Sequence, residues 1–546
     1  MSAEVQTLLQ QGRAAFGRGE PDLALKHFVR ILEFDPHNIA ALNNRGLVLG
    51  HLQHIDQALG CFAQVLEIEP GNVIALVNGG IALAHLGKST AALDWYDRAL
   101  AIDPRHVEAW MCRGRALMLL DRPAQAVECF NTVVQIDPRN IDAYFNLGRL
   151  FQCLGRHLEA HMCFGEALNN QHRYPEALAH FDQLVAATQQ QPSILVGRSV
   201  ALAGLDRNAE ALECLERALR IEPDLPFAIS NRSCLLLTQG QLQEGFQGFE
   251  ARWRIAPFRD QALATSAPLW LGGGALAGKA ILVHHEQGLG DTLQFIRYVP
   301  LLARRGARVV LRLPPALLEI MRALEGVAQI VSDTDPLPAH DLHCPVMSLP
   351  LAFGTTLHTI PAGIPYLRAD PARAARCGAR LGAGSRPRIG LVWAGRHRPP
   401  INYARDVPLA ALCPLLELDA DFFSLQREMA PADAITLESI RGISRHGDAL
   451  GDFADTAALL ANLDLVIAAD TSVVHLAGAM GKPVWVMNRY APCWRWLRGR
   501  ADSPWYPTAR LFRQSSFGDW TGVVAQIGQA LNAALGAGKG FGPRSA

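Results

Sequence analysis

The segment LDLVIAADTSVVHLAGAMGKPVWVM, residues 463–487, decides the fold of the second half of this chain. Its opening run, LDLVIAA, is almost wholly apolar, which is typical of a strand buried on both faces of a parallel sheet. Asp470, Thr471 and Ser472 come next, and all three residue types favour the N-cap of a helix. The following helix is expected to end at Gly481, and PVWVM predicts a second strand. The segment therefore predicts a β-α-β unit.

The turn between this strand and this helix carries side chains that suit an anion. Backbone N–H groups and the positive end of the helix dipole point out of such a turn and favour phosphate. His475 lies four residues after Thr471, so both lie on one side of the helix. Thr471, Ser472 and His475, with Asp470 beside them, are predicted to converge on one diphosphate. The alternative is that the turn holds ordinary capping residues and that His475 packs in the core.

Composition sets the broad class of protein. A length of 546 residues predicts two to four domains, and 49 % hydrophobic with 19 % charged residues is ordinary globular composition. A formal net charge of zero gives no reason to expect a nucleic-acid partner. The eleven cysteines include no C-x-x-C pair, which predicts free thiols in a reducing compartment. We expect neither a signal peptide nor a membrane span, and therefore a cytoplasmic protein.

The first half of the chain repeats with a period of 34 residues. Four registers hold this period: Gly12, Gly46, Gly80, Gly114 and Gly148; Ala24, Ala58, Ala92, Ala126 and Ala160; Phe28, Phe62, Tyr96, Phe130 and Phe164; Pro36, Pro70, Pro104 and Pro138. Small residues let two helices approach closely, an aromatic ring fills the space beyond them, and proline ends the second helix. The pattern resembles tetratricopeptide repeats.

We expect six to seven such repeats in an all-α superhelix over residues 1–255. Ala177 follows Ala160 by 17 residues, so either one helix has been lost or a repeat is irregular around residues 161–174. The concave face of such an array usually binds proteins or peptides. A purely architectural arm is the alternative.

The second half alternates strands and helices, which predicts doubly wound parallel sheets. Residues 256–278, rich in Pro, Trp and Gly, lead into a first α/β domain, with domains expected at residues 256–385 and 386–535 and a tail at 536–546. The expected strands are AILVHH, ARVVLRL and AQIVS, then PRIGLVWAG, DFFSLQ, LDLVIAA and PVWVM.

The pattern D-T-x-x-x-H-L-A-x-A-x-G-x-P-V resembles the donor-site motif of the heptosyltransferase-like glycosyltransferases, a GT-B family that uses nucleotide-diphospho-sugars. The resemblance implies two Rossmann-like domains with a cleft between them. It also implies that no metal and no cofactor is needed, because helix dipoles and basic side chains neutralise the leaving diphosphate. Ligands in such sheets lie at the carboxyl ends of strands.

The loop G-L-G-D after the strand AILVHH is the second part of the candidate site. Gly288 and Gly290 allow a tight turn and a close approach to a ligand, and Asp291 suits the cap of the following helix. The spelling also resembles the N-terminal loop of the same family, which implies that Asp291 is the general base. His285 is predicted to line the acceptor site.

Further donor contacts are predicted in the last domain. The loop after Trp393 resembles a motif whose basic residues contact donor phosphates; this chain keeps Asn402 and Arg405 but has Asp406-Val407 where the motif has Ser-Ile. Gln426, Arg427 and Asp452 are predicted to lie near the nucleoside. Residues 492–507 are dense in Trp and Arg and suit either ligand stacking and phosphate binding or a structural plug.

The whole layout is similar to bacterial tetratricopeptide-repeat proteins fused to a heptosyltransferase-like domain, and to O-GlcNAc and flagellin glycosyltransferases. That resemblance implies transfer of a sugar from a nucleotide-diphospho-sugar to a protein hydroxyl recruited by the repeats. Two alternatives stay open: a repeat scaffold with a degenerate, binding-only transferase domain, and an enzyme that modifies a glycan. The altered loop at residues 402–407 favours the scaffold, and the D-T-x-x-x-H motif favours an enzyme.

Overall fold

The structure is a computed structural model that describes residues 3–188, 191–256, 258–382, 384–395, 405–537 and residue 541. It divides into two compact units, Met1–Gln189 with Ala256–Asp260, and Gln190–Ile255 with Gln261–Ala546. The last four repeat helices therefore belong to the same unit as the α/β half. The domain boundaries expected from the sequence at residues 255, 385 and 535 stay predictions, and most of the expected tail lies outside the described residues.

The first unit consists of helices in antiparallel pairs. Its described helices are α1 (Ala3–Gly17), α2 (Pro21–Phe34), α3 (Ile39–His51), α4 (Ile55–Ile68), α5 (Val73–His85), α6 (Ser89–Ile102), α7 (Val107–Leu119), α8 (Pro123–Ile136), α9 (Ile141–Cys153), α10 (His157–Asn170) and α11 (Tyr174–Ala187). The repeated glycines and aromatic rings meet inside each pair. A Cβ on Gly46 would lie 2.7 Å from the Phe62 ring, and one on Gly80 would lie 2.5 Å from the Tyr96 ring. Any side chain there would push the two helices apart.

The slip in the repeat phase comes from helix α10, which packs against both α9 and α11. The Phe164 ring of α10 occupies the space that a Cβ on Gly148 of α9 would fill, 2.6 Å away. The next residue, Gly165, receives the Phe181 ring of α11, with 2.8 Å between the ring and a Cβ built on that glycine. Helix α10 thus serves as the second helix of one pair and the first of the next. One helix of the regular alternation is missing here, which produces the 17-residue step.

The second unit begins with four more repeat helices and continues into two parallel sheets. Its described helices are α12 (Pro192–Gly204), α13 (Asn208–Ile221), α14 (Pro226–Thr238), α15 (Leu242–Phe249), α16 (Leu289–Phe295), α17 (Val299–Arg304), α18 (Pro315–Met321), α19 (Leu349–Ala352), α20 (Pro371–Leu381), α21 (Leu409–Leu412), α22 (Pro431–Ser439), α23 (Phe453–Ala461), α24 (Ser472–Ala479) and α25 (Trp520–Ala537). Its described strands are β1 (Ala280–His284), β2 (Arg308–Leu313), β3 (Val327–Ser332), β4 (Leu342–Pro345), β5 (Arg388–Val392), β6 (Asp421–Ser424), β7 (Ile443–Arg445), β8 (Leu465–Ala469), β9 (Val484–Asn488) and β10 (Ala509–Arg513).

Both sheets have the strand order of a doubly wound fold. The first runs β3-β2-β1-β4 and the second β10-β9-β8-β5-β6-β7, with every pairing between these strands parallel. The order reverses between β1 and β4 in the first sheet and between β5 and β8 in the second. Crevices that hold ligands open at these reversal points, beyond the carboxyl ends of the strands.

All seven strands expected from the sequence are present. The described residues also contain three strands that were not expected from the sequence, β4, β7 and β10. Strand β4 is four residues long and ends in proline, whereas β7 is a three-residue edge strand with two exposed residues. Strand β10 carries arginines at its second and fifth positions, which interrupt an apolar run. Short or charged edge strands lack the hydrophobic pattern on which a sequence prediction depends.

A buried ion pair joins the end of the repeats to the first sheet. Arg252 lies in the 3₁₀ segment after α15, and its Nε and Nη2 each donate to a carboxylate oxygen of Glu286 at 2.9 Å. The same guanidinium donates to Ser348 Oγ at 2.8 Å and to Glu250 Oε1 at 2.7 Å. Glu286 is the second residue after β1, so this network fixes the start of the turn that leads into α16, the helix that carries Asp291.

Candidate functional site

The candidate site lies where two strands at the reversal points end. Strand β1 leads through Gly288 into helix α16, whose third residue is Asp291, and β8 leads into Asp470, Thr471 and helix α24. Helix α16 packs against α24, so the beginnings of these two helices face each other. The two predicted motifs, 180 residues apart in the chain, therefore meet at one place.

Gly290 makes this close approach possible. A Cβ at this position would lie 2.7 Å from Cδ2 of His475 and 3.3 Å from the Cα of Ser472. The sequence predicted that Gly288 and Gly290 bring the backbone close to a ligand. In the structure Gly290 brings it close to the second motif.

Thr471 is the N-cap residue of α24, yet its hydroxyl does not cap the helix. The side-chain oxygen is buried and has no hydrogen-bond partner among the described residues, and Thr471 as a whole is 8 % exposed. A buried hydroxyl without a partner costs free energy of roughly 1–3 kcal/mol. The geometry at the start of α24 therefore offers an unused polar group to a ligand. The N–H groups that begin a helix favour an anion at the same place, although that of Val474 already donates to the carbonyl of Thr471 at 3.1 Å.

His475 lies one turn further along α24 and is 3 % exposed. Its Nδ1 is 3.0 Å from the hydroxyl of Tyr506, and its ring stacks on Trp496 with 5.4 Å between the centroids. Its Nε2 lies 3.9 Å from a carboxylate oxygen of Asp470. Burial lowers the pKa of His475 to about 4, an effect that the nearby Asp470 opposes. The imidazole is therefore neutral at pH 7 and can offer a hydrogen bond without a charge.

Asp291 is both a helix cap and the partner of a buried cation. The N-cap residue of α16 is Gly288, and Asp291 is the third residue of the helix. Its Oδ2 accepts the backbone N–H of Gly288 at 3.0 Å, so Asp291 caps the helix from inside its first turn and not from the position before it. Its Oδ1 accepts a hydrogen bond from Nη2 of Arg495, and the two side chains are each 13 % exposed. The carboxylate thus lies beside α24 with one oxygen oriented by the loop and the other by Arg495.

Arg495 was not singled out from the sequence, although its segment, residues 492–507, was recognised as dense in Trp and Arg. Its Nη1 donates to Cys493 Sγ at 3.0 Å, and its guanidinium carbon lies 4.3 Å from the centroid of the Trp494 ring. Burial lowers the pKa of Arg495, but the carboxylate of Asp291 is among the groups that raise it, and the net shift is upward. The side chain is therefore a permanent cation. The signal in the sequence was composition alone, which could not identify this arginine among its neighbours.

His285 lies next to Asp291 but is held by hydrogen bonds to α16 and β2. Its Nδ1 is 2.7 Å from the hydroxyl of Thr292, and its backbone N–H donates to the carbonyl of Arg312 at 3.0 Å. Burial lowers the pKa of His285, while Asp291 raises it. The structure therefore places His285 at the candidate site in a fixed orientation, and its predicted acceptor contact stays a prediction.

The structure gives Gln426 a part in shaping the loop after β5. Its Oε1 accepts the backbone N–H groups of Trp393 and Ala394 at 3.2 and 3.1 Å, and its Nε2 donates to the carbonyl of Ala394 at 2.9 Å. The side-chain amide thus holds Trp393 and Ala394, the first two residues after β5. Arg427, the next residue, is exposed.

Arg405 lies over the backbone of Gly395, where a Cβ would come within 2.2 Å of its Nη2. Asn402 lies outside the described residues.

Asp452 lies in a different place from Thr471 and Asp291. It caps α23 by accepting the N–H of Asp455 at 2.8 Å, and it accepts from Arg373 of α20 at 3.3 Å. A cavity of about 450 Å³ opens beside it, lined by Arg373, Arg376, Arg380 and His446 among others. None of the residues at the start of α16 or α24 lines this cavity.

The described residues show neither a metal-binding cluster nor a membrane-spanning helix. Among the described residues, no group of three or more His, Cys, Asp or Glu side chains is placed to hold a metal ion. No helix in the described part of the chain is long and apolar enough to cross a membrane. The expected absence of a metal and the expected cytoplasmic location stay predictions.

Comparison with known proteins supports the prediction of repeats in the first half of the chain. Family profiles described as tetratricopeptide repeat match residues 45–107 and 164–226, residues 107–140, and residues 129–162. The first half therefore contains tetratricopeptide repeats, as the 34-residue period predicted. Protein FlbA of Caulobacter vibrioides is 27 % identical over 288 residues, which is 47 % of this chain and 47 % of FlbA. The chain thus spans about half the length of that relative.

Several solved structures are similar over part of the chain. The crystal structure of MamA has a TM-score of 0.28 at 22 % identity, covering 30 % of this chain and 95 % of that one. A tetratricopeptide repeat protein from Parabacteroides merdae has a TM-score of 0.25 at 17 % identity, covering 48 % and 96 %. Pseudomonas aeruginosa pilF has a TM-score of 0.28 at 16 % identity, covering 41 % and 95 %. These scores are too low to support an argument about function.

Proposed function

We propose that this protein is a glycosyltransferase of GT-B architecture that moves a sugar from a nucleotide-diphospho-sugar to a protein hydroxyl. The observation that carries the proposal is the meeting of the two motifs at the sheet reversal points. Around that point lie the unpartnered hydroxyl of Thr471, the neutral imidazole of His475, the cation of Arg495 and the carboxylate of Asp291. This set combines a site for an anionic leaving group with a base.

In the proposed reaction, the start of α24 binds the donor diphosphate, and Asp291 takes the proton of the acceptor hydroxyl. The acceptor oxygen attacks the anomeric carbon of the sugar, and the bond from that carbon to the diphosphate oxygen breaks. The nucleoside diphosphate leaves with the electron pair of that bond. Arg495, Thr471 and the N–H groups of α24 stabilise the charge that develops on the leaving oxygens.

The repeats supply the acceptor in this proposal. Tetratricopeptide arrays present extended surfaces that usually bind proteins. Repeat helices α12 to α15 share a compact unit with the two sheets, so the last repeats are built into the same body as the proposed active site.

A repeat scaffold with a binding-only α/β half is the second candidate, and one observation favours it. Both oxygens of Asp291 already have structural partners, Gly288 and Arg495. A carboxylate with these partners is explained without any role in catalysis. The two candidates differ in whether the donor is consumed.

The test is release of nucleoside diphosphate by the full-length protein, with a panel of nucleotide-diphospho-sugars and a bacterial protein extract as acceptor. We expect turnover with at least one donor and a fall of about 100-fold or more in Asp291→Asn, which keeps the shape and the cap but removes the base. The matched control is Asp502→Asn, an exposed carboxylate paired with Arg500. Binding of donor without any turnover by the parent protein would refute the enzyme and support the scaffold.

A further inference from the structure

Arg495 has hydrogen-bonding capacity that its partners in the structure do not use. A guanidinium has five N–H bonds; one contacts Asp291 and one contacts Cys493 Sγ. Its Nε is buried and has no hydrogen-bond partner among the described residues. An arginine at 13 % exposure with a buried, unpartnered nitrogen is held ready for a further acceptor.

The charges around this arginine show what that acceptor can be. The ionised groups that act on His475 are Asp470, Asp291, Arg495 and Arg297. Arg297 is already engaged, because its guanidinium donates to the carbonyl of Trp505 at 2.6 Å and to the hydroxyl of Tyr366 at 3.0 Å. Of these two arginines, Arg495 is therefore the one whose guanidinium can turn to an incoming anion.

The backbone of Arg495 is fixed on both sides. The Trp494 ring packs against Phe246 and Phe295, with centroids 5.7 and 6.0 Å apart, and Trp496 stacks on His475. Further along, Arg498 pairs with Asp206. A change of partner at Arg495 therefore needs only rotation of its side chain, which contacts Asp291 and whose charge already acts on His475 of α24.

We infer that Arg495 is a donor-responsive switch: it holds Asp291 as an ion pair while the donor site is empty, and the donor diphosphate then draws its guanidinium away. The inference rests on the proposed donor site at Thr471. A diphosphate carries more negative charge than a carboxylate and accepts the planar guanidinium through two oxygens, so it competes well for one arginine. Asp291 is thereby released to meet an acceptor only after the donor has bound.

The switch predicts that Asp291 and the diphosphate compete for Arg495. Removing the charge of Asp291 frees the guanidinium, so Asp291→Asn is expected to bind diphosphate about tenfold more tightly than the parent. Arg495→Gln is expected to bind about 10- to 100-fold more weakly. In the Arg495→Gln background, Asp291→Asn is expected to change affinity by about threefold or less, because only screened repulsion is relieved.

The experiment is calorimetric titration of the full-length protein and these three variants with adenosine, guanosine, uridine, cytidine and thymidine diphosphates and with inorganic pyrophosphate. The matched control is Arg500→Ala, in the same segment, whose exposed side chain pairs with Asp502. We expect its affinity to equal that of the parent. Circular dichroism checks the fold, and Arg495→Lys, which keeps the charge but loses the planar fork, replaces Arg495→Gln if that variant does not fold.

The outcomes separate the switch from the proposed function. A tightening that depends on Arg495 supports the switch. An equal gain from Asp291→Asn with and without Arg495 overturns the switch and leaves the donor site standing. An Arg500→Ala loss as large as that of Arg495→Gln assigns the effect to the whole segment and also overturns it. No binding of any of these probes to the parent refutes the donor site and the switch together.

Discussion

Replacing Arg252 with methionine tests whether one buried ion pair joins the last repeats to the first sheet. Arg252 is 1 % exposed and Glu286 is 8 % exposed, and the guanidinium makes hydrogen bonds to Glu286, Glu250, Ser348 and the carbonyl of Phe249. Methionine fills much of the same volume but makes none of these bonds. The carboxylate of Glu286 then stays buried with the backbone N–H of Met347 as its remaining partner.

The expected loss follows from that uncompensated charge. Breaking a buried ion pair by removing one partner destabilises proteins by about 3–5 kcal/mol, and we expect a loss of this size for Arg252→Met. Burial already raises the pKa of Glu286 against the effect of Arg252, so without the arginine this carboxyl group becomes still easier to protonate. The loss is therefore expected to shrink as the pH falls from 8 toward 5.

The assay is urea denaturation of the full-length protein, followed by tryptophan fluorescence, because eight of the ten tryptophans lie in the second unit. Removing the second partner as well, in Arg252→Met with Glu286→Gln, is expected to recover at least half of the lost stability because the more deeply buried carboxylate is gone and only the carboxylate of Glu250, whose side chain is 18 % exposed, is left without the arginine. The matched control is Arg254→Met, whose exposed side chain pairs with Asp224 and whose loss is expected to be below about 1 kcal/mol. A loss below about 1 kcal/mol for Arg252→Met at pH 8 would refute the reasoning.

Two further predictions concern the repeats and the candidate site. Gly80→Ala is expected to destabilise the protein by about 1–3 kcal/mol because its Cβ would lie 2.5 Å from the Tyr96 ring. Gly60→Ala, in α4 with no atom within 4 Å of the new Cβ, is expected to stabilise the protein by about 0.5–1 kcal/mol. Thermal unfolding measures both changes, and a change of the same sign in both variants would contradict the packing argument. The pKa of His475 is about 4 in the folded protein, against an ordinary value near 6.5. Between these pH values the unfolded chain binds more protons than the folded protein. The free energy of unfolding therefore decreases as the pH falls from about 6.5 to 4. Over that range the free energy of unfolding of His475→Gln is therefore expected to fall by about 3 kcal/mol less than that of the parent protein. If the two proteins give parallel curves of unfolding free energy against pH, the histidine is not held neutral.

Much of the fold could be predicted because its signals are local or periodic. The 34-residue spacing of Gly46 and Gly80 predicted close helix pairs, and rings such as Phe62 fill the space beside these glycines. The segment at residues 463–487 predicted β8, α24 and β9, and Gly481 adopts the positive φ of 70° that suits the end of a helix. Burial on both faces makes such strands continuous apolar runs, which a single sequence displays.

The candidate site could be predicted only in part. Thr471 and His475 share a helix face because four residues make about one turn, and the structure brings Asp291 to the same place. Gln426 was also selected by its position after a strand, and Asp452 by its position before a helix. In the structure Gln426 holds backbone groups and Asp452 caps α23 beside Arg373. Position at the end of a strand does not specify which atoms a side chain contacts.

The sequence alone determined the repeat array, the alternation of strands and helices, and the polar turn at the start of α24, because each depends on residues close together or regularly spaced. Only the tertiary structure decided that Arg495 pairs with Asp291, 204 residues away, and that Arg252 pairs with Glu286. The order of strands in the two sheets was likewise decided by packing. Such partners are chosen by geometry and burial across the folded chain, and no spacing in the sequence records them.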